Sequence, residues 1–454
     1  MVGACLRLIV EVEAELRAAG PRLPLSGFLF GLAALTRPDG LLIGACAYAA
    51  IFLTMTLPGW LSWRRLMPAV TILCLLVLAH LSFRLLYYGD WLPNTYHAKV
   101  GGRSWWSMGA TYAAMFALEY AAYLWLPLLA AAVLYHIRCK THYLPAVFGA
   151  VILPHLLYIV SIGGDHFEYR PLDLYFPFLF LLMRDGAEHL CRSALRAAGA
   201  LCCLAAALAR LVLLPYRTHA LYPLDRYRLG SPGGWAQQAA QPFLYREDAL
   251  LGLPDLPGLG GAVRSYLGLL REATGSFVGL RAEEHADFLD SVAREGIALR
   301  RLVERGTLPP DTYIAIDSVG AIPYLSRLRT LDRRGLTDRE VARTGFTGEG
   351  LLAHEKQASV AYAAARGVDL WALDHVHLLW WAEDPDFVSL VTLAHQHRSP
   401  AYVAEVEKDL YLLALLPQGL PAARARLPGV AFRSVRDPGV IGDLKERARP
   451  LPAD

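Results

Sequence analysis

Long apolar runs broken by short polar connections dominate the first 215 residues. The runs cover about 24–36, 40–57, 68–88, 117–136, 143–162, 171–184 and 195–215. Several approach the roughly 20 residues that a helix needs to cross a bilayer. The first and sixth are short, so they are either half-buried or continued through polar residues inside a bundle. None alternates with period two as barrel strands do, so the pattern predicts helices. Residues 1–20 carry Glu11, Glu13 and Glu15 and predict an amphipathic or interfacial helix rather than the apolar core of a signal peptide.

Beyond residue 215 the pattern changes. Residues 216–265 are rich in Pro and Gly and read as an irregular linker. Residues 282–305 have the period of a solvated amphipathic helix. Residues 312–325 read as a buried strand followed by a glycine turn. A helix is predicted at 337–344 with Thr337 as its N-cap. Strand-like runs follow at 368–374 and 401–417, with a short helix at 417–426. The expected fold is an α-helical polytopic membrane bundle of about seven spans followed by a soluble α/β domain. Its expected segments are an amphipathic N-terminal piece (1–23), a transmembrane domain (24–215), a linker (216–265) and an extracytoplasmic soluble domain (266–454).

Charge divides the chain at the same place. Charged side chains make up 27 of the first 215 residues and 58 of the remaining 239. Mean hydropathy is +0.33. The net charge of +3 is too small to imply a polyanionic partner, so nucleic acid is excluded as one. All seven cysteines precede residue 216, with no CxxC pair or zinc-type spacing.

Positive charge also orients the runs. Arg17 and Arg22, Arg64 and Arg65, Arg138 and Lys140, and Arg184, Arg192 and Arg196 fall in every second connection. Those connections are expected to be cytoplasmic. Three others, around 37–40, 87–103 and 163–171, then face outward together with everything after residue 215. They hold Arg37, Asp39, Asp90, Lys99, Asp165 and Arg170. Each alone reads equally well as a helix cap or interfacial anchor. Together they favour a site at the outer rim, because charged groups at a membrane are costly and tend to mark function. Arg and Lys suit a lipid phosphate, and a carboxylate suits a general base towards a sugar hydroxyl.

Three segments have a familiar form. GLAALTRPDGLL (31–42) resembles a helix-turn-helix of polytopic glycosyltransferases of the GT-C superfamily. YYGDWLPNTYHAK (87–99) and GGDHFEYR (163–170) resemble signature loops of the arabinofuranosyltransferase-like branch of that superfamily. IDSVGAIPYLSRLRTLDRRGLTD (316–338) and AHEKQASVAYAAARGVD (353–369) are similar to the same branch. The resemblance implies transfer of a pentofuranose, arabinofuranose above all, from a polyprenyl-phosphate donor to an envelope glycan or glycoprotein. It implies a multi-pass protein of a bacterial inner membrane. By position it implies Asp90 and Asp165 as sugar or acceptor contacts, and these two are also the candidates to take the place of a first-loop catalytic aspartate. Lys99, Arg170 and Arg37 would hold the donor phosphate, and Asn94, Tyr96, His166 and Asp39 would touch sugar or acceptor. No cofactor is required by this reading, and a divalent cation is left open.

One departure stands out. The superfamily generally carries an essential aspartate in its first extracytoplasmic loop, and this chain enters the pattern downstream of that point. The expectation is that N-terminal helices are missing from the sequence. The alternative is a catalytically incomplete fragment or a lipid–glycan binding protein. A transporter is disfavoured by the odd number of spans and the lack of paired repeats. Two HxH pairs, His375/His377 and His395/His397, have no metal-site spacing and are expected to be core or surface histidines rather than ligands.

Overall fold

The computed structural model describes residues 1–17, 23–99, 104–120, 122–165, 169–191, 282–347, 356–374 and 377–447, with short pieces between 198 and 205. The described residues fall into two units. The first contains the described residues of Met1–Leu92 and those from Ser104 to Ala205. The second takes the described residues of Pro93–Gly102 and of Leu280–Asp454.

The first unit is helical. Helix α1 (Val2–Leu16) buries Ala4, Cys5, Leu8, Ile9 and Val12 on one face, the i, i+3, i+4 spacing of an amphipathic helix. Its acidic side chains are tied down: Ser26 Oγ donates to Glu11, Tyr143 Oη donates to Glu13, and Arg65 pairs with Glu15. The expected interfacial helix is therefore packed into the bundle along its apolar stripe. Next come α2 (Leu25–Thr36), α3 (Asp39–Ile51, continued by a π turn to Thr56) and α4 (Trp63–Tyr88). After a short α5 (Asn94–Lys99), which belongs to the other unit, follow α6 (Trp106–Glu119), α7 (Leu126–Arg138), α8 (Tyr143–Ser161) and α9 (Phe176–Leu190).

Among the described residues, three stretches are long and apolar enough to cross a membrane: Asp39–Thr56, Trp63–Tyr88 and Tyr143–Ser161. Leu25–Thr36 and Leu126–Arg138 are apolar but shorter. Two expected spans are subdivided. The run at 117–136 breaks between α6 and α7, where Pro127 occupies the first turn of α7. The run at 171–184 opens with a 3₁₀ turn (Asp173–Tyr175) before Pro177 starts α9. Most of the run at 195–215 lies outside the described residues.

Small residues let the backbones approach closely, as in membrane bundles generally. A Cβ on Gly27 would sit 2.0 Å from Ala69 O, one on Gly109 1.9 Å from Val160 O, and one on Gly186 2.0 Å from Leu128 O. These glycines fix the α2–α4, α6–α8 and α9–α7 packings.

The second unit is an α/β sheet with strand order β2-β1-β5-β8-β7-β9, β6 (Trp380–Trp381) also pairs with β8, and β3 (Phe346–Thr347) and β4 (Lys356–Gln357) form a separate antiparallel pair. Strands β1 (Tyr313–Ile316), β2 (Arg329–Asp332) and β5 (Leu370–Ala372) are parallel. Strands β7 (Tyr402–Glu407), β8 (Leu410–Leu415) and β9 (Ala431–Ser434) run as an antiparallel extension. Every residue of β1 is buried, as expected of a strand covered on both faces. Ile314 and Ile316 join one core, with Leu299 of helix α10 (Ala282–Glu304), while Tyr313 and Ala315 join another with Trp371 and Val341. Successive side chains of a strand point to opposite faces, which gives one strand two cores.

The helix expected at 337–344 is α12 (Arg339–Thr344), reached after α11 (Ala321–Ser326). Its N-cap is Asp338, not Thr337: the Asp338 carboxylate accepts the Val341 amide at 3.0 Å. Thr337 instead donates to Asp332. The unit closes with α13 (Val360–Ala365), α14 (Pro385–Gln396), α15 (Leu420–Arg426) and α16 (Pro438–Arg447).

Candidate functional site

The R-P-D-G turn joins α2 to α3. Arg37 is extended, as the residue before a proline should be. Pro38 has φ of −57° and leads directly into the first turn of α3. Gly40 lies against the end of α2, where a Cβ would come within 2.5 Å of Ala33 O. This close turn brings Arg37 and Asp39 together, with Nη2 at 2.9 Å and Nε at 3.2 Å from the carboxylate oxygens. The Arg37 side chain is half exposed, whereas Asp39 is buried.

Asp39 has a second partner that sequence reasoning missed. His155 Nε2, from the middle of α8, lies 3.1 Å from Asp39 Oδ2, and His155 Nδ1 lies 2.8 Å from the Tyr175 hydroxyl. His155 is 1% exposed and Tyr175 3%. All four groups are satisfied if Tyr175 donates to Nδ1 and Nε2–H donates to the carboxylate that pairs with Arg37. A histidine inside an apolar run was the available signal, since a buried ionisable group there needs a partner. Its partner lies 116 residues away, so spacing could not supply it.

The G-G-D loop after α8 is built by glycine. Gly163 and Gly164 have φ of +91° and +93°, the region that L side chains avoid. A Cβ on Gly164 would also strike the Tyr112 ring at 2.6 Å. The loop sets Asp165 opposite Arg170, whose Nη2 and Nε lie 2.7 and 3.0 Å from Asp165 Oδ2. Asp165 is largely shielded, while Arg170 is more than half exposed. His166 lies outside the described residues. Asp90, just past the left-handed Gly89 that ends α4, accepts the Leu92 amide at 3.1 Å.

The P-N-T segment belongs to the α/β unit. Helix α5 packs against α12. Asn94 Nδ2 donates to Gly335 O at 2.7 Å and Leu336 O at 3.1 Å. The receiving loop is held by Asp332, whose carboxylate accepts the amides of Arg334, Gly335 and Thr337 and the Thr337 hydroxyl. Burial pushes the Asp332 carboxyl up, and these four donors partly offset it. Tyr96 and Lys99 are exposed on α5. Of the residues expected at the site, the structure thus joins Arg37 to Asp39 and Asp165 to Arg170 in the helical unit. Asn94, Tyr96 and Lys99 share one helix in the α/β unit.

Beneath that loop lies an ion-pair group that sequence reasoning also missed. Asp317, at the end of β1, pairs with Arg333 Nε at 3.1 Å and Arg334 Nη2 at 3.0 Å. Arg333 also donates to Ala372 O and lies 4.7 Å over the Trp371 ring. It is almost completely buried, which pulls its guanidinium down from the usual range. One histidine of each pair has a structural role. His377 Nδ1 meets Glu295 Oε1 at 3.2 Å, and His395 Nδ1 donates to Val435 O. His375, His354 and Glu355 lie outside the described residues. Among the described residues, no three His, Cys, Asp or Glu side chains gather as a metal ion would require.

A family described as a domain of unknown function (DUF8728) matches residues 290–426, which lie in the α/β unit. A terminal β-(1→2)-arabinofuranosyltransferase of Mycobacterium tuberculosis (strain ATCC 25618 / H37Rv) is 38% identical over 101 residues. That match spans 22% of this chain and 15% of the relative's length. No solved structure matches the chain. The protein thus has a helical region, with three membrane-length apolar stretches among the described residues, and an α/β unit, and it has a distant, partial similarity to a glycosyltransferase.

Proposed function

We propose that this chain is a membrane glycosyltransferase that moves a pentofuranose, arabinofuranose in the first instance, from a polyprenyl-phosphate donor to an envelope glycan or glycoprotein. The observation that carries the reading is the 38% identity over 101 residues with an arabinofuranosyltransferase. The half-exposed guanidinium of Arg37, backed by buried Asp39, His155 and Tyr175, supports it. In this reading the helices sit in a bacterial inner membrane, and the α/β unit lies on the periplasmic or extracellular side.

The chemistry is a displacement at the anomeric carbon. An acceptor hydroxyl oxygen bonds to that carbon, and the bond from it to the phosphate oxygen breaks. Polyprenyl phosphate leaves with the electron pair. A carboxylate, Asp165 or Asp90, takes the hydroxyl proton. Arg37 and Arg170 of the helical unit, or Lys99 of the α/β unit, are the candidates to stabilise the leaving phosphate by charge-assisted hydrogen bonds. Tyr96, His166 and Asp39 are the candidates for sugar and acceptor contacts.

Membranes containing the protein are incubated with polyprenyl-phosphoryl-arabinose and scored for transfer to endogenous glycan. Asp165→Asn is expected to lose at least about 100-fold in rate, the lower end for removing a general base. Arg37→Ala and Arg170→Ala are expected to weaken donor use. His155→Leu is expected to lower transfer with the protein still inserted, because it frees Asp39 from its buried partner. Full transfer by all four variants would overturn the site, and no transfer by the wild type under any donor would overturn the function.

A further inference from the structure

The P-N-T segment and the D-R-R-G-L-T-D segment lie about 240 residues apart in the chain, yet they meet through side chain and backbone. We infer that they form one docking joint, in which Asn94 is a positioning residue that seats α5 on the α/β unit and so presents Lys99 and Tyr96 to an anionic lipid-phosphate ligand. The inference rests on the glycosyltransferase reading for its ligand, but not for the joint itself.

The two faces of α5 carry the argument. Asn94 and Ala98 are four residues apart and so share a face. Asn94 spends both donors of its amide on the carbonyls of Gly335 and Leu336, and Ala98 is 3% exposed. Tyr96 and Lys99, three residues apart, share a different face and are exposed. A side chain whose amide hydrogens are committed to backbone has little left to offer a sugar. The exposed Lys99 cation and the Tyr96 ring, which meets His97 edge-on, are left on the surface to meet a ligand.

The receiving loop is shaped to accept Asn94. Four hydrogen bonds of 2.7–3.1 Å tie Asp332 to the loop backbone and to Thr337. Gly335 has φ of +80°, and a Cβ there would lie 2.6 Å from the Ala342 amide nitrogen, so the turn closes directly onto α12. Both carbonyls therefore stand in fixed directions, and an asparagine amide can bridge them. Tyr362 locks the same corner by donating to the Asp338 N-cap at 3.0 Å.

The test is hydrogen exchange on the full-length chain in detergent, read at residues 94–99 and 335–344, paired with donor kinetics in membranes. Asn94→Asp keeps the side chain's shape but cannot donate. Asn94→Asp and Asn94→Ala are expected to speed exchange at both segments about tenfold and to raise the KM for polyprenyl-phosphoryl-pentose with kcat little changed, on the order expected for two lost hydrogen bonds. Tyr96→Ala and Lys99→Ala are expected to leave exchange at 335–344 unchanged and still raise that KM. Unchanged exchange in both Asn94 variants would overturn the joint. Faster exchange in the Asn94 variants with an unaltered KM for Lys99→Ala would keep the joint and overturn its phosphate role.

Discussion

Several buried ionisable residues among the described ones are paired, and the pairing decides their chemistry. Asp39 and His155 satisfy each other within the helical unit, with Arg37 and Tyr175 at the two ends. In the α/β unit Glu295 and His377 do the same between α10 and the segment after β5. Burial holds the Glu295 carboxyl up, against the donors from His377 and Leu378. For His377 burial favours the neutral ring, but the Glu295 carboxylate outweighs it and raises its pKa above the ordinary 6.5. Both groups bind a proton more tightly in the folded chain than in the unfolded one. Their contribution to stability is therefore present below their ordinary values and is lost as pH rises through the folded ones. The denaturation midpoint of the α/β unit is expected to drop as pH rises above the ordinary histidine value of 6.5, and His377→Gln should flatten that slope. A midpoint that climbs with pH in the wild type relative to His377→Gln would contradict the pairing.

At the scale of elements, periodicity found the apolar helices and α10, but not α11, α13, α14 or α16. The expected breaks and caps failed where two neighbouring polar residues competed. Thr337 and Asp338 both suit an N-cap. Asp338 takes the role because Thr337 is already drawn to Asp332, a partner visible only once β2 and α12 are in place. Two of the long apolar runs are not single helices, since Pro127 and Pro177 start new helices inside them. Glycine sets the packing between helices. Gly109 meets the Val160 carbonyl so closely that any side chain must part α6 from α8. Gly109→Val is expected to destabilise the helical unit by several kcal/mol, as overpacking in a dense interior does. Thermal unfolding in detergent that matches the wild type would refute this.

For the whole molecule, the apolar surface is the deciding feature. Leu75, Leu78 and Leu86 of α4 are 61%, 59% and 86% exposed, a row of leucines that water would not tolerate. Lipid covers such a surface at no cost. The protein is expected to stay with the membrane fraction after alkaline carbonate extraction, and release into the supernatant would sink the membrane reading.

The sequence by itself determined the division of the molecule: an apolar, charge-poor helical half and a charged α/β half. Burial pattern and local stereochemistry act over a few residues, so they can be read from neighbours in the chain. The R-P-D-G turn, the positive-φ glycines of G-G-D and the buried strand β1 belong to this class. Only the tertiary structure decided which polar groups meet. His155 with Asp39, Arg333 with Asp317, and Asn94 with the Gly335–Leu336 carbonyls are partners from distant parts of the chain or of the sheet. Such pairs form because a buried charge or amide must be satisfied, and the demand is legible in the sequence while the identity of the partner is not. For that reason P-N-T-Y-x-A-K, whose residues look like a single ligand site, divides in the structure into a face that docks and a face that is exposed.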